Sequence, residues 1–365
     1  MATIKVLRGN TSSIANYAGQ AGEVALNYET GNLVFWTNTA NTYYTLAREG
    51  ADTPIYTPLQ GSTSGYSAGG SNPPSTPTYT NIIDKFPFSS DTSATDIANL
   101  TTVKIGMAGQ KGSTHGYFSG GSVDIPTQGS DDQIQKFSFT SDSDAVNIGT
   151  LTGDRHYTSG QSSLTHGYTS GGIDWVPTPF SLTYVDTIDK FPFSSDTNAS
   201  DVGELGVTGG GPGVAGGSSQ THGYVVGGGT PTLAVRDAIQ KFSFSSDSSS
   251  IDVGEIGVDH PNAMAVSSST NIYMYGQFPS PYTGPATAVR KAPFISDTPA
   301  TEVLQMAAAT YQGGGASSTT DGYFLGGRYG PVVDFIQKFP FSSDTDAVDI
   351  GELVLGRFWI TGNQT

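Results

Sequence analysis

The side chains that could do chemistry in this sequence come in sets, spaced almost evenly along the chain. His115, His166 and His222 each stand just before a Gly-Tyr pair, and Asn271 and Asp321 hold the same place in two further copies. A metal site needs several donors converging on one point, whereas these histidines lie a whole repeat apart. They read as strand-start or turn residues. His156 and His260 lie in other loops, with no acids nearby at ligand spacing.

The aspartates behave alike. Asp91, Asp142, Asp196, Asp247, Asp297 and Asp344 each follow a Ser in a short polar segment. Calcium wants several oxygens from one loop. Each segment offers one carboxylate beside hydroxyls, although Asp144 stands close to Asp142, so the series reads as turn chemistry. Glu204, Glu255 and Glu352 recur in the same manner. A glycosidase needs two acids across one bond, and acids that appear once per repeat express symmetry instead. The chain has no cysteine, which removes thiolate nucleophiles, disulfides and zinc-thiolate centres. We expect no enzymatic activity, no metal and no cofactor.

The bulk charge narrows the partners. Sixteen Lys and Arg stand against thirty-two Asp and Glu, a formal net charge of −16. Phosphate binding needs clustered cations, so nucleic acid is not expected as a partner. No apolar run approaches the ~18 residues of a membrane span. Met1 to Asn10 carries no apolar segment of the secretory type, so neither signal peptide nor membrane insertion is expected. Charged residues make up 13% of the chain and Gly is abundant, which suits an all-β protein rich in turns.

What must position these side chains is a repeat. The block Ile-x-Lys-Phe-x-Phe-x-Ser-Asp occurs at Ile83 to Asp91, Ile134 to Asp142, Ile188 to Asp196, Ile239 to Asp247 and Ile336 to Asp344, with a weaker copy at Val289 to Asp297. Its lysines, Lys85, Lys136, Lys190, Lys241, Lys291 and Lys338, are 51, 54, 51, 50 and 47 residues apart. Before each block comes Gly-Tyr-x-x-Gly-Gly, degenerate in the fifth copy as Ile272 to Gly276. After each comes an alternating stretch such as Ala145 to Leu151, the period of a half-buried strand. Each unit therefore reads as four strands, here lettered A to D: A before Gly-Tyr (for example His156 to Gln161), B in Gly-Tyr-x-x-Gly, C in Ile-x-Lys-Phe-x-Phe, D after the Ser-Asp turn. Pro87, Pro192, Pro293 and Pro340 fall in C, where a central strand should donate its N–H. They read as strand ends, with a bulge as the alternative. Four strands in about 50 residues, repeated, is the pattern of propeller blades.

The Gly-Tyr-x-x-Gly-Gly and Lys-Phe-x-Phe blocks, followed by a strand and an Arg-containing stretch such as Asp154-Arg155-His156, resemble the kelch family over roughly residues 55 to 365. Here the aromatic load sits in strand C. The expected fold is all-β, a six-bladed kelch-like β-propeller at 62–365 with a small N-terminal β domain at 1–50 and a linker at 51–61. The tail Gly356 to Gly362 reads as a lone strand A that completes the first blade and closes the ring.

Residues 1–50 do not share the repeat. Ile4 to Thr11 reads as a strand and turn, and Ala21 to Asn27 with Asn32 to Trp36 as a hairpin across Tyr28 to Gly31. The order Leu-Arg-Gly-x-Thr, Ala-Gly-Glu-Val, Thr-Gly-x-Leu-Val over about 45 residues resembles the N-terminal domain of bacteriophage tail-fibre and receptor-binding proteins. That resemblance implies attachment to other virion proteins through this domain, a homo-oligomer such as a trimer, and a place in the virion after assembly in the host cytoplasm.

The B–C connections differ most between units, and variable loops on a repeated scaffold are where binding resides. Their aromatics, Trp175, Phe180, Tyr184, Phe278, Tyr282 and Tyr329, are the candidate binding residues, suited to sugar stacking or protein contact. With the phage resemblance, the expected function is a tail fibre or receptor-binding protein that recognises a host-surface glycan or protein. A capsid or tail decoration protein and a cellular kelch-type scaffold are the alternatives.

Overall fold

The computed structural model describes residues 59–74, 78–123, 129–177, 179–206, 214–228, 237–257, 262–276 and 287–365, together with four short strands nearer the N-terminus. The chain divides into two compact units, Met1–Thr57 and Pro58–Thr365. The first holds a four-stranded sheet. Val6–Gly9 pairs in parallel with Val24–Asn27, which pairs antiparallel with Leu33–Trp36, which in turn pairs antiparallel with Tyr43–Leu46. The middle pair is the hairpin expected from sequence; the fourth strand was not anticipated.

The second unit holds six four-stranded antiparallel sheets among the described residues. In order A to D, the first is Thr361–Gln364, Ser64–Ala68, Ile82–Pro87 and Thr95–Asn99. The second is Ala108–Lys111, His115–Ser119, Gln133–Ser138 and Val146–Thr150. The third is Ser159–Ser162, His166–Ser170, Thr187–Pro192 and Ser200–Glu204. The fourth is Val214–Ser218, His222–Gly227, Ala238–Ser243 and Ile251–Glu255. The fifth is Met264–Ser267, Asn271–Tyr275, Ala288–Pro293 and Thr301–Gln305. The sixth is Gly314–Ser317, Asp321–Leu325, Phe335–Pro340 and Val348–Glu352. Strand A of the third sheet begins at Ser159, later than the sequence suggested, because Arg155 to Thr158 still belong to the preceding loop. The prolines stand at the last position of strand C. The register shifts lie earlier, as between Ile83 and Asp84.

Within each sheet the motif is a volume match. The Gly of Gly-Tyr lies directly across from the first Phe of Lys-Phe-x-Phe, as Gly65 does from Phe86. A Cβ on Gly65, Gly116, Gly167, Gly223 or Gly322 would meet that ring at under 3.0 Å. The fifth sheet inverts the pair: Ile272 lies across from Ala292. The degenerate copy therefore keeps the packed volume while exchanging which strand supplies it.

Between sheets the motifs interlock. The Tyr of each Gly-Tyr meets the second Phe of the next sheet: Tyr66 with Phe139, Tyr117 with Phe193, Tyr168 with Phe244, Tyr224 with Phe294, Tyr273 with Phe341 and Tyr323 with Phe88, at centroid distances of 4.7 to 5.2 Å. Each repeat lysine also pairs with the turn aspartate of the next sheet. The pairs are Lys85–Asp142, Lys136–Asp196, Lys190–Asp247, Lys241–Asp297, Lys291–Asp344 and Lys338–Asp91. The apolar core is accordingly split into clusters that straddle neighbouring sheets. One joins Tyr66 and Ile83 to Phe118 and Phe137, and another joins Tyr323 and Ile336 to Phe86. Each buried ring contributes about 1.5–3 kcal/mol relative to exposure.

The A strands pack side by side, second against third and onward to sixth against first and first against second. Glycine makes this approach possible. A Cβ on Gly109, Gly160, Gly216, Gly315 or Gly362 would strike the backbone of the neighbouring A strand at under 3.0 Å. A cavity of about 170 Å³ is lined by residues of all six A strands. Leu59 and Gln60 stand at one end of it, where Gln60 Nε2 donates to Ser267 O at 3.0 Å and Lys111 Nζ donates to Gln60 O at 3.2 Å. Both residues are buried.

Candidate binding face

At the far end of the A strands from Gln60, the D–A and B–C loops meet. Two buried ion pairs hold the D–A loops down. Arg357 Nη2 donates to Asp84 Oδ2 at 2.6 Å and to Ser67 Oγ, and its Nη1 donates to Gly69 O. Arg155 pairs with Asp189 two repeat positions over, in the third sheet. All four side chains are at most 1% exposed. Burial lowers both guanidinium pKa values, with the paired aspartate opposing. The aspartate position also receives a backbone N–H from the preceding loop, Val354 to Asp84 and Thr152 to Asp189. In the second and sixth sheets Gln135 and Gln337 do that work, accepting from Thr101 and Ala308.

Two residues after Arg155 and Arg357, and after Thr310 and Lys104 at the matching places, the backbone turns left-handed. Tyr157, Gln312 and Trp359 have φ of 55°, 61° and 54°, and Gly106 takes 64° at the equivalent place. The Tyr157 and Trp359 side chains gather with others into a run of rings. Tyr157 lies 5.2 Å from Trp359 and 4.3 Å from His156, and His156 lies 6.4 Å from Trp175. On the other side Arg328 sits over Phe358 at 4.3 Å and over Trp359 and Tyr311 at 5.6 Å. Burial, first, and Tyr79, second, push the Tyr157 hydroxyl up from its usual range.

From this run a β-ribbon projects. Ile173–Pro177 pairs with Phe180–Tyr184, matching Ile173 to Tyr184, Trp175 to Leu182 and Pro177 to Phe180. Paired residues share a face and alternate residues share it too, so those six side chains form one apolar face. Its root is fixed: Ile173 is buried and exchanges two backbone hydrogen bonds with His156, 3.0 and 2.9 Å long. Ser130 Oγ accepts from Trp175 N at 2.8 Å and lies 2.9 Å from His156 Nδ1. Toward the tip the face opens to solvent, with Leu182 43% and Phe180 73% exposed.

Of the residues expected from sequence, Trp175, Phe180 and Tyr184 are thus brought onto one face of one ribbon. Tyr329 is exposed on a separate B–C loop, beside Arg328. Phe278 and Tyr282 lie outside the described residues, as does His260. Sequence reasoning missed Tyr157, Gln312, Trp359 and Arg328. A signal existed in the parallel between Arg155-His156-Tyr157 and Arg357-Phe358-Trp359, an Arg followed two residues later by a large ring.

The repeated histidines sit at the start of strand B. His115, His166 and His222 each hold Nδ1 2.8–2.9 Å from the hydroxyl of the preceding Thr, and Asn271 and Asp321 bond their Thr in the same way. Among the described residues no three His, Asp or Glu side chains are grouped to hold a metal ion. No helix there is long and apolar enough to cross a membrane. No protein-family model matches the chain, and no curated protein matches it in sequence.

Proposed function

We propose that the six sheets are the blades of a closed kelch-like β-propeller, and that the chain is a phage virion protein, a tail fibre or receptor-binding protein, whose loop face grips a host-surface structure. The cyclic order of Lys–Asp and Tyr–Phe contacts supports the closed ring. The virion assignment rests on the N-terminal sequence resemblance. The observation that carries the binding role is the apolar ribbon face of Trp175, Phe180, Leu182 and Tyr184. Solvent-facing apolar residues grouped on a projecting element mark an interaction site rather than a fold requirement. The face lies at the opposite end of the A strands from Leu59 and Gln60.

The test joins location to binding. Gold-labelled antibody against residues 62–365 is expected at the tail tip or fibres of the source particle, and the purified chain is expected to bind host cells. Phe180→Ser with Leu182→Ser is expected to abolish cell binding with an unchanged melting temperature. Gold over the capsid or tail shaft with no cell binding would replace this reading with decoration. An absence of particle labelling would favour a cellular scaffold.

A further inference from the structure

Tyr157, Gln312 and Trp359 surround a second, smaller cavity at the loop end of the A strands, about 70 Å³ in volume. We infer that this cavity is a subsite for a neutral pyranose at the end of a glycan, an inference that rests on the loop face being the binding face.

The backbone is the first reason. A left-handed conformation strains a residue with a side chain, and glycine takes it freely. Gly106 occupies this place in the second sheet. Three other sheets accept the strain and keep a Tyr, a Gln and a Trp there. Strain of this kind, held by the surrounding fold, marks functional positions. Here all three strained side chains line the same cavity.

The polar lining is the second reason. Gln312 Nε2 donates to Asn262 Oδ1 at 3.0 Å, which aims the rest of its amide. Gln312 Oε1 and Thr158 Oγ1 are both buried without a hydrogen-bond partner, and Thr158 is only 6% exposed. A buried polar atom left unmatched forfeits the hydrogen bonds it made to water. Ligand hydroxyls arriving there would recover them, a donor to the Gln312 oxygen and either role at the threonine. The half-buried rings of Tyr157 and Trp359 stand beside these atoms and offer apolar faces to the C–H face of a sugar. Few polar groups in an aromatic-walled hollow is the usual make-up of a small-ligand site.

Size and charge narrow the class. At ~30 Å³ per water the cavity admits one edge of a sugar, such as a hydroxymethyl group and a neighbouring hydroxyl, and excludes a whole disaccharide. No charged side chain lines it. Arg328 stands behind Trp359, engaged over Phe358, so nothing within the cavity matches a carboxylate.

The full chain should be titrated with methyl glycosides of glucose, galactose, mannose and N-acetylglucosamine, and with glucuronate and sialate, while tryptophan fluorescence is followed. At least one neutral glycoside is expected to give a saturable change with Kd on the order of 1 mM. Thr158→Val and Gln312→Ala are each expected to weaken it tenfold or more, and Ile295→Ser, at an exposed position in the turn after strand C, to leave it unchanged. Gln312→Gly separates site from scaffold: it is expected to raise the melting temperature while losing the sugar. No saturable response to any neutral glycoside, an equal response in Gln312→Ala, or preference for the acidic sugars would each overturn the inference. Host-cell binding by the unaltered chain with no saturable response to any neutral glycoside would sink this inference and leave the proposed function standing. Sugar binding without cell binding would do the reverse.

Discussion

Lys338 Nζ lies 2.7 Å from Asp91 Oδ1, although 247 residues separate them. The five other repeat lysines reach the turn aspartate only 53 to 60 residues ahead. The same contact is thus made once between the last sheet and the first. The neighbouring contact follows suit: Tyr323 stacks on Phe88 at 4.9 Å. Strand A of the first sheet, Thr361–Gln364, pairs with Ser64–Ala68, so the same seam is also spanned by backbone.

These contacts differ in strength, and the seam lets them be ranked. The Lys338 and Asp91 side chains are 24% and 56% exposed, and exposed pairs contribute about 0–1 kcal/mol. Lys338→Met is expected to lower stability by less than ~1 kcal/mol, with the difference vanishing in high salt. Tyr323 is fully buried, so Tyr323→Ala is expected to cost about 3–5 kcal/mol, the range for a large buried aromatic. Urea denaturation of both variants at low and high salt checks the ranking. A Lys338→Met loss matching that of Tyr323→Ala would overturn it.

The inverted pair in the fifth sheet makes a sharper prediction. Ala292→Phe alone places a ring against Ile272 and is expected to cost about 1–3 kcal/mol through overpacking. Ile272→Gly alone opens a cavity and is expected to cost about 2–5 kcal/mol. The double variant recreates the arrangement of Gly65 and Phe86, so most of the loss should be recovered. A double-mutant cycle measures this coupling, and simple additivity would refute the volume-exchange account.

Strands B, C and D were legible because each carries its signal within about ten residues. The Gly-Tyr block marks B, the Lys-Phe block marks C, and alternation marks D. The partner of each marker was not legible. Lys85 reads as a strand residue and Asp142 as a turn residue, and nothing local links them, since the link is made one repeat further on. The ribbon face was legible as a cluster of aromatics in one loop. The strained trio was hidden because left-handed φ is ordinarily taken by glycine, and Tyr157, Gln312 and Trp359 share no residue type.

The buried ion pair of Arg357 and Asp84 lends itself to replacement by a solution the fold already uses. The sixth sheet has Thr310 at the arginine position and Gln337 at the aspartate position, with Gln337 exchanging hydrogen bonds with Ala308 at 2.8 and 3.2 Å. Arg357→Thr alone strands a carboxylate that is 0% exposed, and breaking such a pair costs about 3–5 kcal/mol. Adding Asp84→Gln is expected to return at least half of that. Thermal melts of the two variants decide it: a double variant no more stable than the single one would show that the arginine's bonds to Ser67 and Gly69, rather than the charge pairing, hold the loop.

His156 ties pH to the ribbon. Burial holds its imidazole pKa down at about 4, against an ordinary 6.5, with the backbone bond at Ile173 opposing. Between those values the unfolded chain binds the proton and the folded chain does not, so stability is lost as pH falls from 6.5 toward 4 and is fully present above 6.5. The gap corresponds to ~3 kcal/mol. Because His156 exchanges backbone bonds with Ile173 and lies 2.9 Å from Ser130 Oγ, the first structure to loosen is expected to be the ribbon root. Hydrogen exchange at Ile173 and Trp175 should therefore accelerate between pH 6 and 4.5 before the sheets melt. His156→Gln keeps a polar group there without the titration, and it should flatten both the stability slope and the local exchange. If wild type and His156→Gln lose stability in parallel over that range, another group carries the pH dependence and the ribbon is not tied to it through His156.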